Sequence, residues 1–86
     1  MALTSLRIDK LLWHLRLTKS RSLAQALIAA GHVRLNGRRV EKSSVEAKMG
    51  DSVTIPAGEG AFVFQLTAIP PRRGPPAEAR ACYREI

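Results

Sequence analysis

The sequence predicts an α+β fold in which two N-terminal helices pack on a small, mainly antiparallel sheet. Three observations support this prediction. Apolar residues recur with helical spacing in two short segments before residue 31, an Asn-Gly pair follows at residues 36–37, and stretches of alternating polar and apolar residues come later. With 86 residues, 45% of them hydrophobic, the chain can form one small core and has no room for a second catalytic domain.

Two helices follow from the apolar spacing. The first stripe is formed by Ile8, Leu11, Leu12 and Leu15, and the second by Leu23, Ala24, Leu27 and Ile28. The first predicts a helix over residues 9–15, with Asp9 capping or charging its N-terminus. Its other faces, which carry Lys10 and His14, should meet water or a ligand. The second predicts a helix over residues 21–30 that Gly31 ends as a left-handed C-cap.

Short strands are predicted after the helices. Residues 33–35 alternate, Asn36-Gly37 is a strong signal for a tight hairpin turn, and residues 38–40 form the return strand. A polar connection over residues 41–48, anchored by Val45, leads to a turn at residues 50–51. Further strands are predicted over residues 52–55 and 61–69, separated by a loop at 56–60. On the last strand, Phe62 and Phe64 should face the core.

The composition changes at residue 70. Four prolines stand among residues 70–76, and this density is incompatible with a continuous helix or a central strand. Residues 77–86 are long enough for one or two helical turns, which would need to pack on the domain to be stable. We therefore expect a domain over residues 1–69, followed by a Pro/Arg-rich linker and short tail over residues 70–86.

Several classes of site are not predicted. Cys82 is the single cysteine, and no pair of Cys or His has the spacing of metal ligands, so we expect neither a disulfide nor a metal and place the protein in the reducing cytoplasm. His14 and His32 are isolated, and no Ser or Cys has a recognisable base partner, so no catalytic residue, cofactor or enzymatic activity is predicted. No apolar run is long enough for a membrane span.

Positive charge is concentrated in the helix-helix-hairpin unit, residues 7–40. It contains Asp9 as its one acidic residue and eight basic residues: Arg7, Lys10, Arg16, Lys19, Arg21, Arg34, Arg38 and Arg39. Its charge of +7 equals that of the whole chain, because residues 41–86 hold six basic and six acidic side chains. Charge gathered on one structural unit is typical of a surface that binds a polyanion, and nucleic acid is the first candidate.

The positions of these residues suit phosphate. Arg21 lies in the first turn of the second helix, where free amides and the helix dipole favour an anion. Its planar guanidinium can hold two phosphate oxygens. The structural alternative is that Arg21 pairs with an acid such as Asp9 or Glu46 and braces the helix. Lys19 and Ser20 add a charge and a hydroxyl in the turn before it. The basic residues of the hairpin extend the same positive field.

Two alternatives remain open. A helix-turn-helix regulator would place the second helix in a DNA major groove, but the exposed face of that helix offers only Ser22, Gln25 and Ala29 beyond Arg21, a poor set for reading base edges. Basic residues at helix starts and on a hairpin suit structured RNA better. The other alternative is the RNA-binding module of an RNA-modifying enzyme whose catalytic domain lies outside these residues.

Four short motifs, in this order, resemble the S4-type RNA-binding domain. They are Arg7-Ile8-Asp9-Lys10-Leu11-Leu12, Thr18-Lys19-Ser20-Arg21 followed by Ala24 and Ile28, Gly31-His32-Val33-Arg34-Leu35-Asn36-Gly37, and Gly50-Asp51 before a strand. The resemblance covers residues 7 to 55. Within that superfamily, the opening motif continued by Trp13, together with the tail from Arg72 to Tyr83, is most similar to the family of fifteen-kilodalton ribosome-associated heat shock proteins. That family usually continues into a long basic C-terminal helix, which these 86 residues do not include.

The resemblance implies the alpha-L motif on a small sheet and a cytoplasmic protein that binds ribosomal RNA. For the heat shock family it implies binding to large ribosomal subunits that carry a stalled nascent chain on tRNA, and a role in their recycling. We expect a monomer. Matching motif positions imply RNA contacts by Arg7, Lys10, Lys19, Ser20, Arg21, Gln25, Arg34, Asn36 and Gly37, and the charge pattern adds Arg16, Arg38 and Arg39.

Overall fold

The computed structural model describes residues 4–86 and places two helices against antiparallel sheets, which confirms the predicted α+β class. In chain order the elements are β1 (Ser5–Arg7), α1 (Ile8–His14), α2 (Arg21–Ala29), β2 (Arg34–Leu35), β3 (Arg38–Arg39), β4 (Glu46–Lys48), β5 (Ser52–Ala57), β6 (Gly60–Leu66), α3 (Pro76–Arg80) and β7 (Tyr83–Glu85). Strands β1 and β4 form one small sheet, and the other sheet has the order β3-β2-β5-β6-β7.

The core lies where the apolar stripes of both helices meet the five-stranded sheet. Its most buried side chains are Ile8, Leu11, Leu12, Leu15, Ala24, Ile28, Val33, Val53, Phe64 and Leu66, each no more than 2% exposed. The two predicted helical stripes therefore supply the helical part of this core, apart from Leu23, which is half exposed, and Leu27, which is partly buried. Phe64 also packs against Tyr83, with ring centroids 5.0 Å apart. Burial of this aliphatic and aromatic surface is the main stabilisation of the fold.

Both helices begin and end within one residue of the predicted bounds. Ser20 caps α2, since its Oγ accepts a hydrogen bond from the Leu23 amide at 3.1 Å. Gly31 follows α2 with φ at +79°, the left-handed conformation expected of a glycine C-cap. These caps fix where Arg21 and the hairpin stand relative to the helix.

The hairpin turn has the geometry that its sequence predicts. Asn36 and Gly37 have φ values of +52° and +82°, and positive φ at both central positions defines a type I′ turn. Arg34 pairs directly with Arg39 across the two short strands, and Leu35 pairs with Arg38. The turn thus sets which basic side chains are neighbours.

The small sheet of β1 and β4 was not predicted. Leu6 pairs with Ala47, and both are buried, whereas Val45, the predicted anchor of this connection, is 36% exposed. Each strand has three residues, too few to show an alternating pattern, and the pairing joins distant parts of the chain. The Ile8 amide also donates to the Val45 carbonyl at 2.8 Å, so Val45 contributes its backbone instead of its side chain.

The loop predicted at residues 56–60 is shorter in the structure. Strands β5 and β6 remain paired as far as Ala57 and Gly60, which leaves a turn of two residues, Gly58 and Glu59. At its other end β6 stops at Leu66 instead of continuing to residue 69, because the chain turns there and residues 67 and 68 donate to the Cys82 carbonyl.

Residues 70–86, named here the C-terminal segment, are folded and not an extended linker. They form α3 and β7, and β7 joins the sheet by pairing with β6, with Tyr83 opposite Leu66. Pro76 stands at the first position of α3, where its missing N–H costs nothing. The prolines therefore direct the chain back to the domain. Of the predicted domain, residues 1–3 lie outside the described part of the chain.

Candidate nucleic-acid interface

The structure divides the predicted RNA contacts into separate groups. The Asp9 cluster consists of Asp9, Arg7, Arg21 and Gln25, where the start of α1 meets α2. The hairpin cluster consists of Arg34, Arg38 and Arg39 on β2 and β3. Lys10 and Lys19 are close in sequence to members of the Asp9 cluster, and Lys19 is exposed. Arg16 belongs to neither group.

A buried carboxylate organises the Asp9 cluster. Asp9 is fully buried, and five hydrogen bonds reach its two oxygens. Arg7 donates from Nε to Oδ1 and from Nη2 to Oδ2, both at 3.1 Å. Oδ2 also accepts from Arg21 Nε at 3.1 Å and from Gln25 Nε2 at 2.9 Å. The Lys10 amide donates to Oδ1 at 2.8 Å. Asp9 therefore connects the two helices. It lies in the first turn of α1, as the charge prediction had it, but the helix has no side-chain N-cap, so the predicted capping role was wrong.

The carboxylate is charged throughout the neutral pH range. Burial by itself would raise the pKa of Asp9, but hydrogen bonds from Gln25, Arg7, Arg21 and the Lys10 amide outweigh it and lower the pKa from 3.8 to about 2. Because the folded-state pKa is depressed, the stabilisation by these bonds is present above pH 3.8 and is lost as pH falls toward 2. No titration of this group is expected near pH 7.

The outer parts of both arginines remain open to solvent. The side chains of Arg7 and Arg21 are 44% and 37% exposed. Among the hydrogen bonds of residues 4–86, Arg21 uses only its Nε and Arg7 uses Nε and Nη2. Both Nη groups of Arg21 and Nη1 of Arg7 are left to meet a ligand. They are planar donors of the kind that suits phosphate oxygens.

The two other predicted contacts near α2 also have structural roles. The Oγ of Ser20 accepts from the Leu23 amide, so the hydroxyl is first a helix cap. Gln25 Nε2 donates a hydrogen bond to Asp9. Each retains hydrogen-bonding capacity, Ser20 its O–H and Gln25 its carbonyl oxygen, beside Arg21 at the positive end of the α2 dipole.

The hairpin cluster places like charges next to each other. Residues directly opposite on an antiparallel pair share a face, so Arg34 and Arg39 lie side by side. No carboxylate of the described chain lies within 4 Å of either, or of Arg38. Arg34 Nη1 donates to the Gly37 carbonyl at 3.3 Å. Opposed like charges cost stability, and an anion bound between them would remove that cost.

The main role of Asn36 and Gly37 is to shape the hairpin, and they offer little for contact with RNA. The Asn36 side chain donates to Asp51 Oδ1 at 3.1 Å and accepts from the Ser52 amide at 2.9 Å. Its polar atoms are therefore engaged in bracing the hairpin against β5. Gly37 contributes its positive φ and a carbonyl that holds Arg34.

Arg16 lies against the C-terminal segment and not with the other predicted contacts. Its Nε donates to the Gly74 carbonyl at 2.6 Å. Nearby, the Arg73 guanidinium is 5.7 Å from the centre of the Trp13 ring, and His14 Nδ1 is 3.1 Å from the Pro70 carbonyl oxygen. His14 is buried, so the expectation that it faces water or a ligand was wrong. This end of α1 holds the C-terminal segment.

The described residues show no sign of other chemistry. Among residues 4–86, no group of three or more His, Cys, Asp or Glu is placed to hold a metal ion. None of the helices there has the length and apolar character needed to cross a membrane. Burial raises the pKa of the Cys82 thiol, with a smaller contribution from Glu78, which makes the thiolate less available.

Comparison with known proteins supplies the family context. Residues 6–53 match the family described as the S4 domain. Heat shock protein 15 of Escherichia coli K12 is 34% identical over 79 residues, which cover 92% of this chain and 59% of that protein. The chain thus spans about three fifths of the length of this relative. The small ribosomal subunit protein uS4 of Opitutus terrae is 34% identical over 55 residues, 64% of this chain and 27% of its own length.

A solved structure extends the likeness to the C-terminal segment. The structure of heat shock protein 15 from Vibrio cholerae, described as trimeric, has a TM-score of 0.89 and 34% sequence identity. It covers 95% of this chain and 82% of the Vibrio chain. A match of that extent leaves few residues of this chain outside it, so it reaches into the C-terminal segment.

Proposed function

The chain belongs to the S4 domain family, and from this premise we propose that it binds structured RNA without catalysing a reaction. The RNA class we propose is ribosomal RNA of the large subunit. Ribosomal RNA as the ligand is supported by the similarity to heat shock protein 15 over most of the chain and to a small-subunit ribosomal protein over 55 residues. The choice of the large subunit rests on the resemblance to the ribosome-associated heat shock family. The finer role is the recognition of large subunits that carry a stalled peptidyl-tRNA, under heat stress.

One observation carries the RNA-binding proposal. Of the eight basic residues between positions 7 and 40, only Arg7 and Arg21 have a carboxylate within 4 Å among the described residues, and both share Asp9. The other six have none. A folded unit with so much uncompensated positive charge attracts a polyanion, and release of counterions from phosphates would drive binding.

RNA is favoured over DNA by where the charges stand. The exposed positions of α2 after Arg21 are occupied by Ser22, Leu23, Gln25, Ala26 and Ala29. Only Gln25 is of a type that reads base edges in a bidentate way, and its side-chain amide already donates to Asp9. The basic side chains lie at the start of the helix and on the hairpin, where they can follow phosphates along an irregular RNA surface. Duplex DNA would contact the same charges, but no element would fit into its groove.

We take the binding unit to be a cytoplasmic monomer. The trimeric description belongs to the Vibrio cholerae protein. In this chain both the Asp9 cluster and the hairpin cluster come from a single copy, so one molecule has the proposed binding groups in full.

A salt titration with competitors tests this function. If about five phosphates are engaged, affinity for a folded fragment of large-subunit rRNA should fall with salt at a log-log slope of about −3 to −5. Unlabelled fragment should displace the complex at much lower concentration than duplex DNA of equal length. A slope near zero would contradict the phosphate contacts, and equal competition by duplex DNA would contradict the preference for structured RNA.

A further inference from the structure

We propose that Asp9 is a positioning residue that holds the guanidinium groups of Arg7 and Arg21 in the orientation that binds phosphate. The inference rests on the RNA binding proposed above and adds a role for an acidic residue within a surface for an acidic ligand. An acid there is unexpected from charge alone, since removing it would make the surface more positive.

The direction of the hydrogen bonds supports this role. Both arginines donate to an Asp9 carboxylate oxygen from Nε, the inner nitrogen of the guanidinium, with N–O distances of 3.1 Å. A bond at Nε fixes the plane of the group. Arg7 also donates from Nη2 to Asp9, which leaves its Nη1 pointing away from the carboxylate, whereas Arg21 keeps both Nη groups free of it. Since Asp9 is fully buried and the arginine side chains are 37% to 44% exposed, those donors lie toward solvent.

Electrostatics also require a group such as Asp9 at this place. Two guanidinium groups reach the same carboxylate, Arg21 from α2 and Arg7 from the end of β1, and without a negative charge between them they would repel each other. Asp9 cancels one positive charge and leaves a net charge of about +1 on the trio, at the start of α2. The two arginines are held close together, where adjacent phosphate oxygens can be gripped at once.

Gln25 completes the arrangement. It donates to the same Oδ2 atom as Arg21 from one turn further along α2, so the carboxylate is held by α2 at two positions. The Lys10 amide fixes Oδ1 from its own helix. The carboxylate cannot rotate without breaking several bonds, and the orientation of the arginines follows from it.

The direction in which one substitution changes RNA affinity distinguishes a positioning role of Asp9 from an effect of total charge. Asp9→Asn keeps the size of the side chain and raises the net charge by one. If Asp9 positions the arginines, this variant should bind the rRNA fragment about threefold to thirtyfold more weakly, judged per folded molecule, with a shallower salt slope. If only total charge matters, it should bind as well as the wild type or more tightly, and the proposal is overturned.

Glu59→Gln is the matched control. Glu59 is exposed in the β5–β6 turn and makes no hydrogen bond or ion pair within residues 4–86. Its removal raises the net charge by the same amount, so affinity should stay within about twofold of the wild type. Wild-type binding with a steep salt slope is required in the same experiment, and its absence would count against the proposed function, not against the role of Asp9.

A measurement on the wild-type protein covers the case in which Asp9→Asn does not fold. In NMR spectra, the Nε–H signals of Arg7 and Arg21 should be protected from exchange in the free protein and remain so with the rRNA fragment bound. The Nη–H signals should shift on binding. Loss of Nε–H protection in the complex would show that the bonds to Asp9 break on binding and would overturn the proposal.

Discussion

Replacing Arg34 and Arg39 together by glutamine should weaken RNA binding by about 2 to 4 kcal/mol, because charge-assisted contacts to two phosphates are lost. The salt slope should become shallower by about 2. The fold should be as stable as before or slightly more stable, since two like charges directly opposite on the hairpin no longer repel. A loss of affinity combined with no loss of stability is the expected result, measured by RNA titration and thermal unfolding of the same protein.

The matched control removes two positive charges elsewhere. Lys48 on β4 and Arg80 on α3 are both exposed and lie outside residues 7–40. Their joint replacement by glutamine changes the net charge equally but should alter affinity only weakly through long-range electrostatics. Equal weakening by both pairs would show that RNA responds to total charge and not to the hairpin cluster.

Arg21→Ala should weaken RNA binding by about 1 to 3 kcal/mol while the protein remains folded. In the structure, Arg21 Nε donates to Asp9, and among residues 4–86 its outer nitrogens make no hydrogen bond, so they are available for the proposed phosphate contact. Without Arg21, Asp9 keeps its bonds to Arg7, Gln25 and the Lys10 amide, so the cost to stability should be modest. Affinity and melting temperature measured on the same variant separate the two roles.

Arg21→Lys sharpens this test. Lysine restores the charge, but a single ammonium group cannot hold Asp9 with one nitrogen and a phosphate with two others, so only part of the affinity should return. Full recovery of affinity by lysine would mean that the planar fork is unnecessary. If Arg21→Ala lowers the melting temperature strongly while affinity per folded molecule is unchanged, Arg21 is a structural brace and not a contact.

Much of the fold could be predicted because its strongest signals are local. The stripes of α1 and α2 and the Asn36-Gly37 turn each depend on residues close in sequence, and the structure has them where expected. The pairings of β1 with β4 and of β6 with β7 were not predicted. Both join distant segments through strands of three residues on one side, and such short strands carry no readable period.

The C-terminal segment shows how local signals mislead. Four prolines among residues 70–76 indicated a linker, yet backbone carbonyls of this stretch are held by His14 and Arg16 from α1. A proline restricts the chain whether it is free or docked. Only tertiary contacts distinguish the two cases, and they are not visible in the sequence.

The charge pattern predicted which segment carries the candidate site, but the arrangement of its side chains was not predicted. The sequence indicated which segment is basic and offered Asp9 as one of two acids that could pair with Arg21. It did not show that Arg7 and Gln25 meet at the same carboxylate, or that Arg16 is turned toward Gly74. A signal for the first was present: Asp9 is the only acid among eight basic residues between positions 7 and 40. An isolated acid in a basic segment is worth testing as an organiser.

The identity of the bound RNA tests the central claim most directly. The protein, expressed in growing and in heat-stressed bacterial cells, would be crosslinked to its RNA by ultraviolet light and the attached fragments sequenced. We expect the fragments to map mainly to large-subunit ribosomal RNA and to cluster at few sites, with Arg34→Gln/Arg39→Gln reducing their yield. Fragments spread over messenger RNAs without enrichment of ribosomal RNA, or no RNA above the level of an uncrosslinked sample, would contradict the claim.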